Sequence, residues 1–254
     1  MADYNNPVAR QAGYAGALDA GLRAYMLRVY NYMLAGLVLT GLASYGTFAL
    51  AVTNDPAQVA VRLPTGVMLT QFGVTLFGPF LWVLMLVSLG LVFFLSFRIE
   101  RMSLGTARAT FLGYAALIGV TLSSIFVVYT YSSIAEVFFI TAATFGAMSL
   151  WGYTTRTDLT GFGSFLFMGL IGLVIAMVVN MFLHSSTMGF VISAIGVLVF
   201  TGLTAYDTQS IKEMYVAGDD GTVAGRKAIY GALRLYLDFV NLFLMILRLM
   251  GSRR

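Results

Sequence analysis

Two aspartates, Asp207 and Asp238, stand on consecutive apolar runs near the end of the chain. The first run, GVLVFTGLTAY, meets Asp207 and gives way to the polar stretch DTQSIKEMYVAGDDGT. The second, AIYGALRLYLDFVNLFLMILRLM, carries Asp238 near its middle. Each run is long enough to cross a bilayer, which needs about 20 apolar residues. An ionised carboxylate at membrane depth costs about 3 kcal/mol or more, so acids retained there face a polar interior. Two carboxyls that approach each other cannot both ionise cheaply, and the pair then holds one proton between them. Such a dyad is a pH sensor or a cation site, and its oxygens suit a hard cation such as calcium.

Each acid has a plainer reading beside this one. Asp207 ends its run inside AYDTQSIK and is equally an interfacial acid marking the helix end. Asp238 lies about 15 Å along a helix from Ala228 at 1.5 Å per residue. Arg234 at i−4 and Asn241 at i+3 are its helical neighbours. A self-contained Arg234–Asp238 pair that neutralises the last run therefore competes with the dyad. Other polar features read as ordinary surface. Glu136 is an interfacial acid at the start of a span, and His184 a solvated turn residue. The GDDG segment lacks the ligand spacing of a calcium-binding loop. GFGSF lacks the strand-and-helix context of a phosphate loop.

The elements that position the two acids follow from composition. The chain has 254 residues, 59% hydrophobic and 10% charged, against about 25% charged for a soluble domain. Its mean hydropathy is +0.86. So little charge cannot cover a wetted surface, and the composition reads as a polytopic, all-α integral membrane protein. Seven transmembrane helices are expected, at about 28–50, 74–97, 107–129, 133–154, 161–183, 187–207 and 228–250, since only helices or closed barrels span a bilayer and alternating strand-length segments are absent. The very short turns near 130–133, 155–160 and 184–187 force antiparallel neighbours. Small residues, as in GLVLTGLASYG, allow close helix approach. Residues 1–22 form a polar cytoplasmic segment without signal-peptide character, residues 23–252 the transmembrane domain, and the first span is expected to act as an uncleaved signal.

Basic residues cluster on alternate loops: Arg10, Arg23 and Arg28; Arg98, Arg101 and Arg108; Arg156; Lys212, Arg226 and Lys227. The positive-inside rule puts the N-terminus in the cytoplasm and, with seven spans, the C-terminus outside. A re-entrant last segment that returns the C-terminus to the cytoplasm is the competing topology. The formal net charge of +4 is explained by this loop placement, so no nucleic-acid partner is implied. The chain has no cysteine and one histidine. A Cys- or His-cluster metal site is thereby excluded, and no organic cofactor is implied.

FTGLTAYDTQSIKEMY, followed by LRLYLDFVNLFLMILRLMG, resembles the signature of the Bax inhibitor family in its bacterial branch. FRIERMS and IGVTLSSIF add weaker likeness, and the resemblance covers about residues 22–252. It implies six helices in two three-helix layers around a central C-terminal seventh, in the bacterial inner membrane. It further implies a pH-dependent calcium leak whose sensor carboxylates fall on Asp207 and Asp238. An arginine near the cytoplasmic end of span two engages that pair; Arg98 and Arg101 both fit, and both also read as positive-inside anchors. Candidate partners on the last span are Arg234 and Asn241. The chain lacks the Lys-rich tail of the animal members, so a death-suppressing role is not carried over.

Three functions from different classes remain in view. The first is the cation leak gated by the aspartate pair, with calcium as permeant ion and the lipid bilayer as surroundings. The second is an interaction protein that modulates another membrane complex such as a protease. The third is an intramembrane aspartyl protease, favoured by Tyr206-Asp207 but opposed by Leu-Tyr-Leu-Asp where that class has Gly-x-Gly-Asp.

Overall fold

Apolar runs broken by helix-stopping residues give a chain that is helical nearly throughout. The computed structural model describes residues 7–254, with side chains from Ala20 onward. The polar segment expected at residues 1–22, with Arg10, lies outside the described residues except for the helical backbone from Pro7 and the side chains from Ala20. The long helices are α1 (Pro7–Ala51), α3 (Pro79–Arg98), α4 (Leu104–Leu122), α6 (Tyr131–Thr154), α7 (Thr160–Leu183), α8 (Ser186–Glu213) and α9 (Gly221–Met250). Short helices α2 (Gln71–Phe77) and α5 (Ile125–Val128) lie between them.

Local chemistry sets the boundaries. Pro79 cannot continue α2, so the chain stops at Gly78 and restarts as α3 with proline at its first position. The expected span at 74–97 is thus two helices. Ser103, Thr130, Ser185 and Asp220 accept backbone N–H bonds at the starts of α4, α6, α8 and α9. The loop after α1 holds a hairpin of two-residue strands, β1 (Val61–Arg62) and β2 (Met68–Leu69), turned at Gly66 with φ +82°. No strand was expected there, because two residues are too short to show an alternating pattern.

Among the described residues, six helices are long and apolar enough to cross a membrane: Ala20–Ala51, Pro79–Arg101, Leu104–Val128, Tyr131–Thr154, Thr160–Leu183 and Ser186–Glu213. Their outer faces carry large apolar side chains such as Phe97, Phe182 and Leu198, each more than 70% exposed. Such a surface needs lipid, and the protein is an all-α membrane protein. Helix α9 has 30 residues but also carries Arg226, Lys227, Arg234, Asp238 and Arg248. It needs no apolar face toward lipid along most of its length, because α1, α4, α6 and α8 all pack on it. Helix α3 packs on α4, α4 on α1, α7 on α8, and α8 on α6.

Helix α9 runs from one end of the bundle to the other. At its start, Arg226 donates through Nη1 to the carbonyls of Glu100 and Met102, in the turn between α3 and α4. Beyond its end, Ser252 accepts from the Thr130 amide and its own N–H donates to Ser133 Oγ, while Arg254 N–H donates to Val128 O. The C-terminus therefore lies at the end of the bundle opposite the α3–α4 turn, and α9 does not fold back.

Close approach fixes the α6–α8 contact. A Cβ built on Gly152 would stand 2.2 Å from the carbonyl oxygen of Ala205, a backbone atom with no room to turn away. Gly152→Val is therefore expected to lower stability by about 2 kcal/mol, as overpacking does, read as a drop in thermal midpoint in detergent. An unchanged midpoint would show that the two helices can separate freely.

Candidate functional site

Helices α8 and α9 are antiparallel partners, and their contact brings Asp207, Ser210, Arg234 and Asp238 together. Residues 207 and 210 lie three apart on one face of α8, and 234 and 238 four apart on one face of α9. Arg234 binds Asp207 in a two-pronged ion pair: Nη2 donates to Oδ1, and Nε donates to Oδ2 at 3.2 Å. Its Nη1 donates to Ser210 Oγ at 3.1 Å, and the guanidinium lies over the Tyr206 ring, 5.9 Å from the centroid. Fork-to-fork pairing of this kind is the strong geometry for arginine and carboxylate.

Asp238 is 5% exposed and Asp207 8%. The two carboxyls are neighbours in the cluster. Asp238 Oδ2 is buried and has no hydrogen-bond partner. The cluster thus sets two acids against one fixed cation. The plain pairing of Arg234 with Asp238 along α9 is replaced by a bond across to α8. An arginine four residues away on its own helix can reach either acid, and the facing register of α8 supplies two acceptors where α9 supplies one.

The other candidates sit elsewhere. Asn241 donates to the Leu237 carbonyl of its own helix at 2.8 Å, not to Asp238. Arg98 and Arg101 are exposed at the end of α3 and in the following turn, and neither bonds to the pair. Arg226, in sequence only one of the loop bases, ties that turn to α9. Glu136 and His184 are exposed; His184 ends α7 at φ 51°, the left-handed conformation of a helix cap. In GDDG, Asp219 pairs with Lys227 at 2.6 Å and Asp220 caps α9. Amides of Val223 and Thr222 hold the Asp220 carboxyl below the usual carboxylate range.

The polar string after Tyr206 is a set of ties from α8 to its neighbours. Asp207 reaches α9. Thr208 Oγ1 meets Ser149 Oγ of α6 at 2.9 Å, and Ser149 meets the Tyr30 hydroxyl of α1 at 2.7 Å. Gln209 accepts from the Leu159 amide and donates to the Thr157 carbonyl, both at 2.8 Å. Lys212 Nζ donates to the Tyr153 carbonyl at 2.9 Å. With these ties, α8 continues to Glu213 instead of stopping near residue 207 as expected.

Calcium favours six to eight oxygen ligands. Both Asp207 oxygens are engaged by Arg234, and the described residues hold no group of three or more His, Cys, Asp or Glu side chains. The arrangement does not fit a resident calcium ion; any role for calcium here is as cargo.

Comparison with known proteins gives a consistent picture. A family profile described as "Inhibitor of apoptosis-promoting Bax1" matches residues 22–254. The inner membrane protein YbhL of Escherichia coli is 46% identical over 92% of this chain and 94% of its own length. An uncharacterized protein of Rickettsia prowazekii is also 46% identical, over 93% of this chain and 92% of its own. One from Caulobacter vibrioides is 41% identical over the whole of both chains.

Proposed function

Because this chain belongs to the Bax inhibitor family, we propose that it is a seven-helix, pH-sensitive leak pathway for calcium or another cation. Asp207 and Asp238 are its sensor. In this reading α9 is the seventh span, with α3, α4 and α1 as one three-helix layer and α6, α8 and α7 as the other. Arg23, Arg28, Arg98, Arg101, Arg156, Lys212, Arg226 and Lys227 gather toward the end that holds the α3–α4, α6–α7 and α8–α9 turns. In this reading that end is cytoplasmic by the positive-inside rule, and the membrane is the inner one, as YbhL is named.

The observation that carries the proposal is the unpartnered Oδ2 of Asp238 beside the Asp207–Arg234 pair. With both acids ionised the cluster has net charge −1, from two negatives and one positive. One proton brings it to zero. A buried cluster that changes charge by one proton biases whichever helix arrangement suits each state. A proteolytic role has less support, since Asp238 sits within the unbroken helix α9, whose backbone offers no strand for a substrate to pair with.

The test is purified protein in liposomes loaded with a calcium dye. Calcium entry above that of protein-free liposomes is expected, with a rate that differs between about pH 5 and about pH 8. Entry equal to protein-free liposomes at every pH would sink the reading.

A further inference from the structure

Around α9, two seams between outer helices are closed by direct packing, α1 on α4 and α6 on α8. Helices α1 and α6 meet through side chains, among them the Tyr30–Ser149 bond, and between them lies a groove of about 680 Å³ whose floor includes Phe239 of α9. We propose that this groove is a binding site for one anionic phospholipid, with the phosphate at Arg23 and an acyl chain along the groove. This inference is independent of the cation reading.

Its chemistry changes along its length. Arg23, Tyr30, Ser149 and Tyr153 line one end; Met33, Leu37, Phe138 and Phe145 line the remainder. The groove contains no acidic side chain. Arg23 is exposed, and among the described residues no carboxylate pairs with it. A second base, Lys212, is held against Tyr153 at the same end, 5.7 Å from its ring centre. A single negative headgroup complements that end. The apolar remainder complements a hydrocarbon chain.

Dimensions select the same occupant. From Arg23 to Leu37 the α1 wall rises about 21 Å. Half of a bilayer's hydrocarbon core is about 15 Å, so the groove spans one leaflet from headgroup level to just beyond the midplane. A helix of a second copy with the same length and a width of about 10 Å would need roughly 1,600 Å³, more than twice the space. The polar end belongs to the base-rich end of the bundle, and basic residues there attract anionic lipid headgroups.

Native mass spectrometry of the full chain from mixed micelles with equal phosphatidylglycerol and phosphatidylcholine tests this. Wild type is expected to retain one phosphatidylglycerol in about five-fold preference. Arg23→Gln is expected to bring that preference to about one, since it removes the charge and leaves the groove. Gly146 lines the groove, and a Cβ there meets nothing within 4 Å. The Cβ of Gly146→Phe is thus unobstructed and its ring extends into the groove, and the variant is expected to lose both lipids at an unchanged thermal midpoint. Equal retention of the two lipids by wild type overturns the proposal, as does wild-type retention of phosphatidylglycerol by Gly146→Phe.

Discussion

Arg234→Gln is expected to destabilise the protein by about 3 kcal/mol, and a second substitution, Asp207→Asn, to recover most of that loss. Removing one partner of a buried ion pair leaves an uncompensated charge, which costs about 3–5 kcal/mol. The side chains here are 24% and 11% exposed, so partial hydration puts the effect at the lower end of that range. Arg234→Gln also strips the donor from Ser210 and the cation from Tyr206, and these smaller losses persist in the double variant. The measurement is a thermal midpoint in detergent for both single variants and the double variant. The cycle isolates the coupling between the two groups. It also separates the two pairings open to this arginine. If Asp238→Asn rescued Arg234→Gln and Asp207→Asn did not, the arginine would be neutralising Asp238 along α9. An Arg234→Gln loss of only a few tenths of a kcal/mol would put the pair among exposed ion pairs.

That ambiguity marks the limit of what the sequence carries. Asp207 and Asp238 stand out as candidates from composition alone, because a charge inside an apolar run is anomalous on any membrane reading. The i, i+4 rule offers Arg234 a partner on its own helix. It says nothing of the facing helix, whose register depends on how α8 and α9 cross. The bidentate bond to Asp207 and the support from Ser210 both follow from that register. The same cause hid the reach of α8. Thr208, Gln209 and Lys212 look like a helix ending in water, yet their partners are Ser149, the Thr157–Leu159 backbone and Tyr153. A polar residue that finds a protein partner lets its helix continue, and the partner is invisible in a linear pattern. The Gly78–Pro79 break was legible in principle, since proline ends a helix wherever it falls. A hydropathy run passes across it without a dip.

Both Asp207→Asn and Asp238→Asn are expected to abolish the pH dependence of calcium flux and to hold it at the wild type's low-pH value. At high pH the wild-type cluster has two negatives and one positive; at low pH one proton joins the pair and the net charge is zero. Asp238→Asn leaves Asp207 and Arg234, with net charge zero at every pH. Asp207→Asn leaves Asp238 and Arg234, again zero. Each variant therefore copies the protonated wild type, whichever flux that state supports. Two loop acids, Asp220 and Asp158, do not blur the result. Backbone amides lower the Asp220 carboxyl, and bonds from Thr160 lower Asp158. A lowered acid is ionised throughout the range above its ordinary value of about 4, and it loses its caps only as pH falls through the still lower folded value. The one histidine, His184, is exposed in the α7–α8 turn, at the end of the bundle opposite the cluster, and His184→Gln is expected to keep the wild-type profile. The measurement is initial calcium entry into liposomes at equal protein density between about pH 5 and 8. Two variants that retain the wild-type profile would remove the pair as sensor and leave Asp207 and Arg234 as a structural clasp between α8 and α9. A flat profile at the high-pH value would mean that the ionised pair acts through position and not through charge. Only the flat profile at the low-pH value fits a cluster that one proton takes from −1 to zero.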